Sequence, residues 1–141
     1  MIRIDASAAM MAAAQRRATR QGADISLQIA SAERLQFPTE QFEIVTAVTI
    51  LGFIKDAAPV FREIARVRKP GGRLVLSELG KWSPWAAGRR IRAWLGSPLW
   101  RQGRFRTARE LYELAERAGL AVESVRGAIY YPPAGLAQRA G

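Results

Sequence analysis

Phe42-Glu43-Ile44-Val45-Thr46-Ala47-Val48-Thr49-Ile50-Leu51 is a nearly unbroken run of Ile, Val and Thr. So many β-branched residues make a poor helix and a good strand. With hardly a polar break, the run suits a strand buried on both faces, as in a parallel sheet. Downstream, Asp56 can cap a helix that places Val60, Ile64 and Val67 on one face at i, i+4 and i+7. That helix stops at the tight turn Pro70-Gly71-Gly72, and Arg73–Ser77, with Leu74, Val75 and Leu76 at its centre, reads as another buried strand. Upstream, Ile25–Ile29 alternates apolar and polar residues, and Ser7 is placed to N-cap a helix over Ala8–Arg20 that ends at Gly22. Ile2–Ile4 reads as the end of a strand running into Asp5.

Further on, Thr107-x-x-Glu110 is a capping box opening a helix with Leu111, Leu114 and Ala118 inward and Gly119 closing it. Leu120–Val125 and Ala128–Tyr131 read as two strands around Gly127, an antiparallel finish. Strands alternating with helices of this length give an α/β fold with a mostly parallel sheet, and 141 residues make one domain, 1–141. Ligands of such sheets bind outside the carboxyl ends of the strands. Asp5, the Ala30-Ser31-Ala32-Glu33 turn, Val48-Thr49 and Glu78 occupy those ends.

The chain has neither cysteine nor histidine. Disulfides, thiolate metal sites and Ser-His-Asp triads are excluded, and no metal site is expected. No apolar run approaches the roughly 18–20 residues that span a bilayer, and the amino terminus does not resemble a secretory signal, so a cytoplasmic location is expected. The net charge of +10 is concentrated: Lys81 to Arg109 holds eight basic residues, no acid and all four tryptophans. The remainder is nearly neutral. The chain reads as an ordinary α/β body carrying a basic, Trp-rich cap segment over 81–106.

Three stretches carry a resemblance to the class I S-adenosylmethionine-dependent methyltransferases, in the type 11 group that acts mostly on small molecules. Ile4-Asp5-Ala6-Ser7 looks like the family's second strand ending in an acid. Ala30-Ser31-Ala32-Glu33-Arg34-Leu35-Gln36-Phe37-Pro38, followed by Phe42-Glu43-Ile44-Val45, is similar to its DAexLPFpdxsFDvV segment. Val67-Arg68-Lys69-Pro70-Gly71-Gly72-Arg73-Leu74 is close to its turn before the fifth strand. With Ala118-Gly119-Leu120, the match covers nearly the whole chain outside the basic insert.

The resemblance implies a Rossmann-like sheet and S-adenosyl-L-methionine as cofactor. Asp5, with Ala6 beside it, would accept the ribose hydroxyls, a strand-end carboxylate being suited to a bidentate pair; it could equally favour the positive end of the following helix. Ser31, Ala32 and Glu33 would border adenine or form a plain turn, the family usually having Asp at the place of Ser31. Val48 and Thr49 would line the pocket floor. Methyl transfer from a sulfonium needs mainly proximity and alignment, and no catalytic residue is assigned. Glu78 is a candidate base or an exposed strand-end acid; Tyr112 and Tyr130 read as packing residues.

The family begins with a strand and a glycine-rich loop that wraps the methionine part of the cofactor. Neither is present here: the family's first strand would precede Met1, which marks the chain as N-terminally truncated. In the family's sheet order, 3-2-1-4-5-7-6, that strand is central. Orphaned sheet groups cost about 1–3 kcal/mol each when buried. Either Ile2–Ile4 pairs directly with Phe42–Leu51, or another chain, as in a homodimer, fills the slot.

In the cap segment, Ala87, Ile91, Trp94 and Leu95 share one helical face while Arg89, Arg90 and Arg92 point away. Three readings stay open: a lid over an apolar substrate, a contact with an anionic membrane surface, or a docked helix with a solvated basic face. Nucleic-acid binding lacks a supporting motif. The leading reading is methyl transfer to a small-molecule acceptor; the alternative is a non-catalytic remnant or binding module using the Arg/Trp-rich segment.

Overall fold

In a computed structural model the structure describes residues 1–78 and 106–127. Their order is β1 (Ile2–Asp5), α1 (Ala8–Gln21), β2 (Ser26–Ile29), β3 (Phe42–Val48), a 3-10 turn at Leu51–Phe53, α2 (Ala58–Val67), β4 (Arg68–Ser77) and α3 (Ala108–Arg117).

The helix ends follow from local chemistry. Ser7 Oγ accepts the Met10 N–H at the start of α1, and Gly22, at φ +59°, sends its own N–H back to the last carbonyls. Asp56 Oδ1 accepts the Ala58 N–H ahead of α2. At α3, Thr107 and Glu110 form the reciprocal capping box. Val60, Phe61, Ile64 and Val67 are the buried face of α2, and the first three pack with Ala47, Leu51, Ala115 and Leu120 into the core.

The strands form two parallel pairs. β1 pairs with β2 from Ile2↔Ser26 to Asp5↔Ile29. β3 pairs with β4 through Phe42↔Arg68 and then Ile44↔Arg73 to Val48↔Ser77. Between those first two pairs the expected turn Pro70-Gly71-Gly72 becomes a bulge inside β4, opposite Glu43. Gly71 adopts φ +75° there. At Gly72 an added Cβ would lie 2.7 Å from the Glu43 carbonyl oxygen, so glycine is what lets the two backbones meet.

Four expectations are corrected. Ile2–Ile4 does not pair with Phe42–Leu51: among the described residues the ladders of β1 and β3 run to β2 and β4. The loop that follows β2 is fastened to α2 (below). β3 is not buried on both faces. Val45 and Ala47 turn toward the helices, but Ile44 and Val48 are 64% and 67% exposed. It also ends at Val48, because Thr49 turns left-handed at φ +51°.

Finally, Leu120–Val125 forms no strand. The Leu120 N–H bonds to Ala115 O, closing α3 after Gly119, and the Leu120 side chain enters the core. Ala128–Tyr131 and the helical face of the cap segment lie outside the described residues.

Candidate functional site

Parallel pairing sends the carboxyl ends of β1 and β2 the same way, and those of β3 and β4 likewise. At the first pair, Asp5 stands opposite Ile29, and Ala30 N–H donates to Asp5 O (3.2 Å). Asp5 and the Ser31 turn are therefore brought together. Asp5 Oδ1 accepts the Ser7 N–H at 2.8 Å, so this carboxylate shapes the entry to α1. Its Oδ2 makes no hydrogen bond among the described residues. Ala6, between the two, is exposed.

Ser31 closes a turn on itself. Its Oγ accepts the Glu33 N–H (3.2 Å), and its carbonyl accepts the Arg34 N–H (3.2 Å). Ser31 and Glu33 face solvent, whereas Ala32 packs against the core that contains Ala47 and Leu51. Ala32 thus ties the turn to the second half of the molecule.

The rest of this loop is held from α2. Glu63 Oε2 accepts the Leu35 N–H at 2.7 Å, and the same carboxylate takes Arg66 in a two-point pair, both contacts at 2.8 Å. Arg66 also donates to Phe37 O (2.7 Å) and Leu35 O (2.9 Å). The Arg66 hydrogen bond draws the Glu63 carboxyl below its ordinary value. Their spacing at i, i+3 is local, but the loop groups they hold lie 28 to 31 positions away, so nothing local in the sequence marks them as tethers.

At the second pair, Thr49 N–H donates to Ser77 O at 2.8 Å. Val48, Thr49 and Glu78 therefore gather at one end of β3–β4. Glu78 is neither a free base nor an exposed acid. It is half-buried, and its Oε1 accepts the Leu51 N–H at 2.7 Å, with the Ile50 and Gly52 amides alongside. Burial pushes its carboxyl up, against the opposing pull of those amides and of Arg106.

Arg106 reaches the same segment from the other side. It donates to Leu51 O, to Ile54 O at 2.8 Å and to Lys55 O at 3.3 Å. Tyr112, expected to pack, is exposed, and its hydrogen bond to Glu116 raises the pKa of its hydroxyl. Tyr130 lies outside the described residues. A surface hollow of about 240 Å³ is lined by Arg106, Glu110, Glu113, Leu114 and Arg117.

Residues 1–76 match the family described as a methyltransferase domain. The chain belongs to that family. An uncharacterized protein of Mycobacterium tuberculosis is 38% identical over 106 residues, covering 75% of this chain and 37% of its own. A ubiquinone biosynthesis O-methyltransferase of Rhodopseudomonas palustris is 28% identical over 137 residues, covering 94% of this chain and 54% of its own. The solved YcgJ protein of Bacillus subtilis superposes with a TM-score of 0.69 at 27% identity, covering 85% of this chain and 52% of that one. The α/β Rossmann-like methyltransferase fold is thereby established, and the chain spans about half the length, or less, of these relatives.

Proposed function

We propose that this chain forms the nucleoside-holding side of an S-adenosyl-L-methionine-dependent methyltransferase whose acceptor is a small molecule. The observation that carries the reading is Asp5. It ends β1 beside the Ser31 turn, with one carboxylate oxygen engaged by Ser7 and Oδ2 open to a ligand. That acceptor fits a ribose: a strand-end carboxylate accepts vicinal hydroxyls well.

Asp5 would hold the ribose, with Ala6 against it. Ser31, Ala32 and Glu33 would border the adenine, and Val48 and Thr49 would line the floor. The cofactor supplies an electrophilic methyl group on its sulfonium. The chain's own task is to align that methyl group with the acceptor atom and exclude water. Glu78, being engaged with loop amides, is not offered as a base. The Rhodopseudomonas relative, named for ubiquinone biosynthesis, supports a small acceptor.

Calorimetric titration with S-adenosylhomocysteine tests this. Binding is expected, and Asp5→Ala should weaken it by about an order of magnitude, roughly 1.4 kcal/mol. No heat from the wild-type chain at high concentration would refute the reading, and an unchanged affinity in Asp5→Ala would refute the ribose contact.

A further inference from the structure

The segment that leaves β3 is short and irregular. Thr49 turns left-handed, one 3-10 turn follows at Leu51–Phe53, and the chain reaches α2 only at Ala58. A single turn of this kind leaves amides at its start and carbonyls at its end without partners of its own. Here charged side chains of matching sign meet both ends: the Glu78 carboxylate takes the Leu51 amide, and the Arg106 guanidinium takes the Ile54 and Lys55 carbonyls and shares the Leu51 carbonyl with the Ile54 N–H. Negative charge at the amide end and positive charge at the carbonyl end is the favourable arrangement for peptide dipoles.

The two side chains come from places 28 positions apart. Glu78 directly follows β4, and Arg106 directly precedes the Thr107 cap of α3. Both meet Leu51. Beside Arg106, the charge facing Glu78, the hydrogen-bonding groups are all backbone amides. Both residues are engaged with the backbone of this segment.

We propose that Glu78 and Arg106 are positioning residues: they grip residues 50–55 from the amide side and the carbonyl side, and so set where the Thr49 end of β3 meets a bound nucleoside. The role at the pocket rests on the proposed function; the grip itself is a property of the free chain. Coupling through Leu51 makes the two side chains act as one device, so loss of either loosens the whole segment.

Amide hydrogen exchange and S-adenosylhomocysteine titration on the full chain test this in Glu78→Ala, Glu78→Gln and Arg106→Ala. Glu78→Ala and Arg106→Ala are expected to speed exchange of the Leu51, Gly52 and Ile54 amides by about tenfold or more, with the Val60–Val67 amides of α2 unmoved as the check on folding. They should also weaken S-adenosylhomocysteine binding by about fivefold or more, because the loop must then be ordered on binding. Glu78→Gln keeps a carbonyl acceptor for the Leu51 N–H and should recover most of both, which a need for charge alone would not allow. Exchange at the wild-type rate in Glu78→Ala and Arg106→Ala overturns the grip. Faster loop exchange with intact affinity overturns the positioning role alone. A wild-type chain that takes up no S-adenosylhomocysteine overturns the proposed function, and the positioning role with it.

Discussion

Gly72→Ala sets a methyl group against backbone that has no room to yield. Its Cβ would stand 2.7 Å from Glu43 O and 3.0 Å from Lys69 O and Arg68 Cγ. Arg68 Cγ can swing away, but the two carbonyls belong to the paired strand and to the bulge itself. Relief therefore requires β3 and β4 to part locally at their register shift. Overpacking of this kind costs about 1–3 kcal/mol.

Gly71 is the internal control. At φ +75° with no atom within 4 Å of an added Cβ, it pays only the torsional cost of a left-handed alanine, about 1–2 kcal/mol. The two neighbours fail for different reasons, and Asn separates them. Gly71→Asn should recover stability, since Asn tolerates the left-handed region, whereas Gly72→Asn should be no better than Gly72→Ala. In urea, with m of roughly 1–3 kcal/mol/M, Gly72→Ala should lower the midpoint by about 1 M at unchanged m. A Gly72→Ala chain as stable as wild type, or rescued by Asn as Gly71 is, would show that the strands do not approach as described.

Phe61, 1% exposed at the centre of the core, should cost about 3–5 kcal/mol when replaced by alanine, read by the same denaturation; a loss below 1 kcal/mol would mean the core lies elsewhere. The two tethering acids should give opposite pH slopes. Glu63, held below 4.5 chiefly by Arg66, contributes stability that is complete above pH 4.5 and lost as pH falls through its folded value. Glu78, raised above 4.5 chiefly by burial and opposed by Arg106, contributes stability present below pH 4.5 and lost as pH rises through its folded value. Denaturation between about pH 3 and pH 7 should therefore lose its acid limb in Glu63→Gln and its decline above pH 4.5 in Glu78→Gln. Wild-type slopes in both variants would contradict these environments.

Much of the candidate site was readable as position. Ser7, Gly22 and the Thr107–Glu110 box act as their residue types require, because a cap needs only partners two to four positions away. Asp5 and Ser31 could be placed at strand ends because a strand's end is a local property too. What these side chains do there was less readable. Whether Glu78 faced a cleft or a loop amide depended on where Leu51 lay, 27 positions earlier in the chain.

The order of strands and helices from β1 to β4, the helix caps and the α/β class follow from the sequence alone, since periodicity, β-branching and capping act over one or two turns of chain. Only the tertiary structure decided that β1 keeps to β2 and β3 to β4, that one apolar face of β3 meets water, and that Glu63, Arg66, Glu78 and Arg106 serve as tethers for loops. The physical reason is reach: a charged side chain is satisfied by whichever backbone groups folding brings within about 3 Å, and the identity of those groups is written nowhere near it in the chain.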